Sequence, residues 1–233
     1  MTITTTPGRK EPETGGDRSA GPPDPSRRNG AVLIGFTAVT NLADGVMRLA
    51  LPLLAVSLTD SPALVTTASL ALTLPWLLTA LHIGVVVDRF DRRMLLWLAG
   101  AARLAAMGDL FAAAVTGHLT LVRLLAVGAV LGVADVLAAT AGSALVPAAV
   151  NREHRPRVNA WMVGAETVGQ EFAGPFVGGL LLAAGTGLAL GAIGVTYAAA
   201  ALLPVLLVGR FRPAAPALVV AFHGHDSGED PTR

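Results

Sequence analysis

Six long apolar stretches alternate with short polar breaks along the chain, at about residues 31–58, 64–87, 94–116, 120–147, 158–183 and 186–209. Each has about the 20 residues that a helix needs to cross the hydrocarbon core of a bilayer. The pattern predicts an all-α membrane protein with six transmembrane helices. Residues 1–29 are rich in Thr, Pro, Gly and charge and contain no apolar run. They read as a disordered cytoplasmic tail, because a signal peptide needs an apolar core close behind its basic start. Residues 213–233 open on Pro213 and Pro216, pass the short apolar patch Ala217–Phe222 and end in a polar, acidic stretch. That patch is too short to span, so the expected organisation is a tail over 1–29, one six-helix bundle over 30–212, and a cytoplasmic C-terminal tail over 213–233.

The arginines test this topology independently. Arg89, Arg92 and Arg93 follow the second span, Arg152, Arg155 and Arg157 the fourth, and Arg210 and Arg212 the sixth. With the basic residues of the tails they account for fourteen of the seventeen Lys and Arg, while the breaks near Asp60, Gly117 and Gly185 carry none. Short loops rich in Lys and Arg stay on the cytoplasmic side. An even number of spans with both termini cytoplasmic satisfies that rule at every loop, and it predicts a multi-pass protein of the cytoplasmic membrane.

Composition agrees: 53% of residues are hydrophobic and only 14% charged, where a soluble domain has about a quarter. The lipid bilayer is therefore the first expected partner. Nucleic acid is not expected, since every arginine cluster abuts an apolar helix and none forms a basic stripe. There are no cysteines, so disulfides and thiolate metal sites are out. His82, His118, His154, His223 and His225 show no i, i+4 pairing, so no metal site is expected. No phosphate-binding loop of the G-x4-G-K-[ST] form occurs, which argues against an ATP-driven pump. No nucleophile sits beside a base, so neither an enzyme nor a cofactor is expected.

Charges inside the spans carry the candidate chemistry, because each costs at least about 2.5–3.5 kcal/mol in the hydrocarbon centre unless it faces a cavity or a partner. The first span holds Asn41, Asp44 and Arg48, and the i, i+3 and i, i+4 spacings put Asp44 on one face with both. Two readings stay open: an internal Asp44–Arg48 pair that neutralises two misfits, or a proton or substrate site. Arg103 and Asp109 in the third span lie on different faces, so each needs a partner from another helix. Arg123, near the outer end of the fourth span, has the reach to snorkel; Asp135 is deeper. The fifth span holds Glu166, Gln170 and Glu171, with Glu166 and Gln170 on one face and Glu171 rotated about 100° from Gln170. Asp44, Arg48, Asp135, Glu166 and Glu171 are thus the proton-coupling or substrate candidates. Downstream, Gly174, Pro175, Gly178 and Gly179 predict a kinked helix that a neighbour can approach closely.

Three motifs resemble the major facilitator superfamily. The stretch Gly84–Arg93, with Gly84, Asp88, Arg89, Arg92 and Arg93 in place and Asp91 where many members have Gly, resembles the loop between helices 2 and 3 of those transporters. Gly174-Pro175-x-x-Gly178-Gly179 resembles the antiporter motif of drug–proton exporters, with Gln170 replacing an upstream glycine. Asn41–Gly45 with Leu51–Leu54, Leu74–Leu77, and Asn159-Ala160 with Ala165-Glu166 resemble the branch that exports macrolides and siderophores. The resemblance implies a proton-coupled efflux antiporter of small molecules, with this chain as the N-terminal six-helix half of the fold. It also implies that Asp88, taken to open the third helix where a helix N-terminus favours a carboxylate, gates by touching the other half. Two halves normally enclose one cavity, so a homodimer or a second six-helix half is the implied partner, with the Gly174–Gly179 face as a contact surface. The alternative is a six-helix membrane protein that does not transport, either a truncated remnant or an accessory subunit.

Overall fold

The computed structural model describes residues 25–208, and every regular element among them is helical. They are α1 (Pro25–Val56), α2 (Pro62–Arg89), α3 (Arg92–Val115), α4 (Leu121–Ala149), α5 (Arg155–Thr167), a π-helical turn (Val168–Ala173), α6 (Gly174–Ala184), α7 (Thr186–Leu202) and a closing 3₁₀ turn (Leu203–Leu206). Residues 1–24 of the tail expected over 1–29, and the tail expected over 213–233, together with Arg210 and Arg212, lie outside the described residues. α1 begins five residues before the predicted bundle boundary, so Arg27 and Arg28 stand in its first turns.

Local chemistry sets the ends. Pro62 opens α2, where its missing N–H costs nothing. Asp91 caps α3, its carboxylate accepting from the Arg93 N–H at 2.8 Å and the Met94 N–H at 3.4 Å. Thr120 caps α4 through the Arg123 N–H. Gly117 (φ 71°) and Gly185 (φ 140°) turn the chain after α3 and α6 in conformations that side chains disfavour. Asp88 is not at the start of α3: it is an exposed residue in the last turn of α2. The stabilisation by a helix N-terminus expected for it belongs to Asp91, the residue that departs from the family pattern.

Among the described residues, five helices are long and apolar enough to cross a membrane. The fifth predicted span is also helical from Arg155 to Ala184, but it is divided into α5, the π turn and α6. Pro175 is the reason. Its ring would crowd the Glu171 carbonyl and it lacks an N–H; the preceding turn widens, and the Gly174 N–H donates to the carbonyl of Gly169, five residues back. The sixth span shortens for a similar cause, changing at Leu203-Pro204 into the 3₁₀ turn.

α1 is the central post. It packs against α2, α4, α5, the π turn, α6 and α7, while α3 is held by α4 and α7. Two apolar clusters stack along the bundle. One, around Leu33, Leu96, Leu145 and Val158, adjoins the arginine-bearing end. The other, around Met47, Leu51, Met107 and Leu190, adjoins the opposite end.

The arginine-bearing end is stapled by backbone carbonyls. The Arg92 guanidinium donates to Ala144 at 2.9 Å, Arg93 to Val205 at 3.2 Å, and Arg155 to Val150 and Pro147 at 3.0 and 2.6 Å. Asn29 donates to the carbonyls of Ala149 and Val208 and accepts from the Val208 N–H. The start of α1, the α2–α3 and α4–α5 loops and the end of α7 therefore share one end, as the positive-inside pattern requires.

Candidate functional site

Between the two apolar clusters lies a layer of charge. Arg103 of α3 is 2% exposed, and its Nη2 donates to Asp44 of α1 at 2.9 Å and to Asp135 of α4 at 3.2 Å. The Tyr197 hydroxyl of α7 donates to the other Asp44 oxygen at 2.6 Å, and the Arg103 guanidinium lies 5.3 Å from the Tyr197 ring centre. Four helices thus meet at one ionic centre. A buried charge cluster survives only where partners satisfy it, and here two carboxylates share a single guanidinium nitrogen while Arg103 Nε and Nη1 have no partner among the described residues.

This centre forms the floor of an open cavity of about 740 Å³. The volume falls within the range of small-molecule sites. Asp135 and Arg103 reach it directly, Glu166 and Glu171 stand on one wall, and Trp76 of α2 faces them on another. Asp44 is sealed behind, with Arg103 and Tyr197 around it. The cavity lining carries three carboxylates (Asp135, Glu166, Glu171) and two guanidiniums (Arg48, Arg103).

Of the two readings open for Asp44, the internal pair with Arg48 does not form. Arg48 points out of the core, where its Nη1 meets Glu171 at 3.2 Å with both side chains largely exposed, a geometry worth at most about 1 kcal/mol. Asp44 turns the other way, toward the buried guanidinium. The i, i+4 spacing allowed the pair, but Asp44 is turned to Arg103 of α3 and Tyr197 of α7, while Arg48 is turned to Glu171 of the π turn. Arg103 and Asp109 do find partners on other helices as expected; Asp109 pairs with Arg123 at 3.1 Å, so Arg123 is an ion-pair partner as well as an end-of-helix arginine.

Glu166, Gln170 and Glu171 all line the cavity, although straight-helix geometry separates Glu171 from the others. Gln170 and Glu171 both lie in the π turn, whose wider winding reduces the angle between successive residues. Gln170 is buried and donates through its amide to the Asn41 Oδ1 of α1, whose own amide donates to the Thr37 carbonyl at 2.7 Å. Gly174 and Gly178 are likewise buried against α1 at Gly45 and Val46. The glycine face expected to meet another bundle is used up inside this one.

Gly84 lies in α2, open to space. Asp88 and Arg89 are exposed at the arginine-bearing end, and Asp88 has no ion-pair or hydrogen-bond partner among the described residues. Tyr197 escaped sequence reasoning. The signal available was that the only tyrosine of the chain sits in the run Gly-Val-Thr-Tyr-Ala-Ala-Ala-Ala, where an isolated phenol needs a polar contact.

No curated protein matches the chain. A family model, the Major Facilitator Superfamily, matches residues 33–225. That interval takes in all the described helices but the first two turns of α1, together with every residue of the charge centre and its cavity. The chain belongs to the major facilitator superfamily and is a multi-pass membrane protein of a transporter family.

Proposed function

We propose that the bundle is half of a proton-coupled exporter of small molecules, of the macrolide and siderophore type, in the cytoplasmic membrane. The observation that carries the coupling is the sharing of one Arg103 nitrogen by Asp44 and Asp135, with Asp135 open to the cavity and Asp44 sealed. Two carboxylates against one guanidinium leave one negative charge in excess. A proton arriving through the cavity on Asp135 removes it and leaves Arg103 wholly to Asp44. A proton on Asp135 thereby alters the contacts that bind α4 to α1 and α3, which is the kind of differential contact a coupled transition requires. Glu166 and Glu171 on the cavity wall are substrate-facing acids. Export as the direction rests on the resemblance of Gly174-Pro175-x-x-Gly178-Gly179 to the antiporter motif.

In reconstituted vesicles with a pH gradient, Asp135→Asn should abolish gradient-driven accumulation while substrate still binds and exchanges down its own gradient. Asp44→Asn and Glu166→Gln should reduce the accumulation less. If all three amide variants build the same substrate gradient as the parent, the coupling proposal fails.

The open side of the cavity needs a cover. Its rim helix α2 has only 6% of its most apolar window buried, against 67% for α1, and Phe172 in the π turn and Phe176 in the first turn of α6 are 69% and 70% exposed. Alternating access in this architecture moves two bundles against each other around a central site. A second six-helix bundle, from a second copy or a separate sequence, closes the cavity in this reading, and Asp88 gates by reaching it. Mass measurement in mild detergent should show more than one bundle, and cysteines placed at Trp76 and Phe176 should cross-link across the interface. A monomer that sustains gradient-driven transport at one copy per vesicle overturns this.

A further inference from the structure

Beside the polar cavity lies a small chamber of about 30 Å³, bounded by α1, α2, α4 and α7. The two spaces share Arg48, Leu72, Thr73 and Asp135, but the chamber also reaches Asp44 and Tyr197, which do not line the cavity. Asp44 is thus closed to the cavity and open to the chamber. Backbone sets the chamber's wall. At Gly132 a side chain would overlap the Leu72 carbonyl, and the Pro75 ring comes within 3.1 Å of the same point, so α2 and α4 meet there without side chains between them. That crossing brings Thr73 of α2 to the same chamber as Asp135, which stands one turn beyond Gly132 on α4.

One water needs roughly 10–15 Å³ and two to four polar partners. The chamber has the room, and Thr73, Asp44, Asp135 and Tyr197 supply the partners; Met47 and Leu131 make the rest of its wall apolar. The Thr73 hydroxyl donates to the Ser69 carbonyl of its own helix at 3.0 Å, and a hydroxyl that donates still has lone pairs with which to accept. Both carboxylates accept from Arg103. A guest between them must therefore donate to an ionised acid and accept from a protonated one. Water does both, whereas a metal cation has no proton to donate.

We propose that the chamber holds one ordered water bridging Thr73, Asp135 and Asp44, and that this water carries protons to Asp44. Asp135 is the first acceptor here as in the coupling reading, on which this route rests. The water accepts the O–H of protonated Asp135 and donates one hydrogen to the Asp44 carboxylate and the other to the Thr73 oxygen. In the transfer the Asp135 O–H bond breaks as a new one forms to the water, and the water's hydrogen facing Asp44 passes to that carboxylate. Asp135 ends ionised, Asp44 neutral and the water whole. Thr73 is a positioning residue: by taking one hydrogen it aims the other at Asp44.

The test needs no substrate. Protons are released from a caged donor onto the full-length protein in nanodiscs, and time-resolved infrared spectroscopy follows the carboxyl C=O bands. Asp44→Asn and Asp135→Asn assign the bands by their loss; should Asp44→Asn fail to fold, Asp44→Glu assigns its band by a shift. The Asp135 band should rise first and the Asp44 band after it. Thr73→Val keeps the side chain's size and should slow the Asp44 band about tenfold, the equivalent of one hydrogen bond to the water, without changing the Asp135 band. Thr73→Ser should restore the parent rate, which a packing role for Thr73 would not predict. An Asp44 rate unchanged in Thr73→Val, a Thr73→Ser variant as slow as Thr73→Val, or a parent rate in Asp135→Asn overturns the route while leaving Asp135 as a proton acceptor. Loss of the Asp44 band on adding sodium at fixed pH would show a cation in the chamber and overturns it too. If Asp135 takes up no proton, the coupling reading fails with it.

Discussion

Replacing Arg103 by methionine should destabilise the bundle by about 3–5 kcal/mol, the usual consequence of removing one member of a buried ion pair. The volume lost is small, so packing is a minor part of the effect. The larger part is electrostatic: Asp44, 8% exposed, would keep only the Tyr197 hydroxyl at 2.6 Å, and Asp135 would lose its one ionic contact at 3.2 Å. Arg103→Lys should recover part of the loss but not all, because a single ammonium on a shorter stem does not reproduce a guanidinium set between two acids. The double variant Asp44→Asn/Arg103→Met separates charge from shape. With the sealed carboxylate neutralised, its stability should return to within about 1.5 kcal/mol of the parent, so the coupling between the two sites is large and of compensating sign. Reversible unfolding in mixed detergent, followed by helical circular dichroism, gives all four corners of this cycle. A parent-like Arg103→Met, or a double variant no better than the single one, would show that the ionic centre contributes little to the fold.

How much of this was legible in the sequence depends on distance along the chain. The spans were legible because length and hydropathy are local, and the common end of the arginine loops followed from charge placement alone. The ends were legible to within a few residues, except at the start of α1, which lies six residues before the expected span, and where proline changed the winding, as at Pro175 and Pro204. Partners across helices were not legible. Asp44 has Arg48 four residues away and Arg103 fifty-nine residues away, and spacing rules see only the first; the choice was made by which helices pack against each face of α1. Tyr197 was hidden for the same reason, being 153 residues from Asp44. Asp88 illustrates a smaller failure. An error of two residues in the end of α2 moved a carboxylate from the start of one helix to the end of another, where the backbone dipole favours cations instead.

The glycines of α6 should divide sharply when each is replaced by alanine. Two effects oppose each other at every site: alanine gains about 1 kcal/mol over glycine in a helix interior, and its methyl needs room that a close crossing denies. At Gly174 the methyl would stand 2.5 Å from the Gly45 Cα and 2.6 Å from its carbonyl carbon, backbone atoms that cannot rotate aside. α6 must then move off α1, and overpacking of this kind costs about 1–3 kcal/mol and sometimes more. Gly174→Ala should therefore be destabilising in net terms, and Gly45→Ala equally so, since its methyl would lie 3.0 Å from the Gly174 Cα. At Gly178 the nearest atoms of Val46 are at 3.3 Å, close enough for a shift of a few tenths of an ångström to relieve, and the two effects should nearly cancel. At Gly179 the nearest atom is the Leu49 Cδ2 at 3.8 Å, ordinary contact, so alanine should be neutral or mildly stabilising. Gly174→Ala should also loosen the adjoining contact between Gln170 and Asn41, because the π turn is pinned to α1 by the same crossing. Detergent unfolding of the four variants ranks them, and hydrogen exchange at residues 168–174 reports the loosening. A Gly174→Ala variant as stable as Gly179→Ala would mean that α1 and α6 do not approach as closely as their glycines allow.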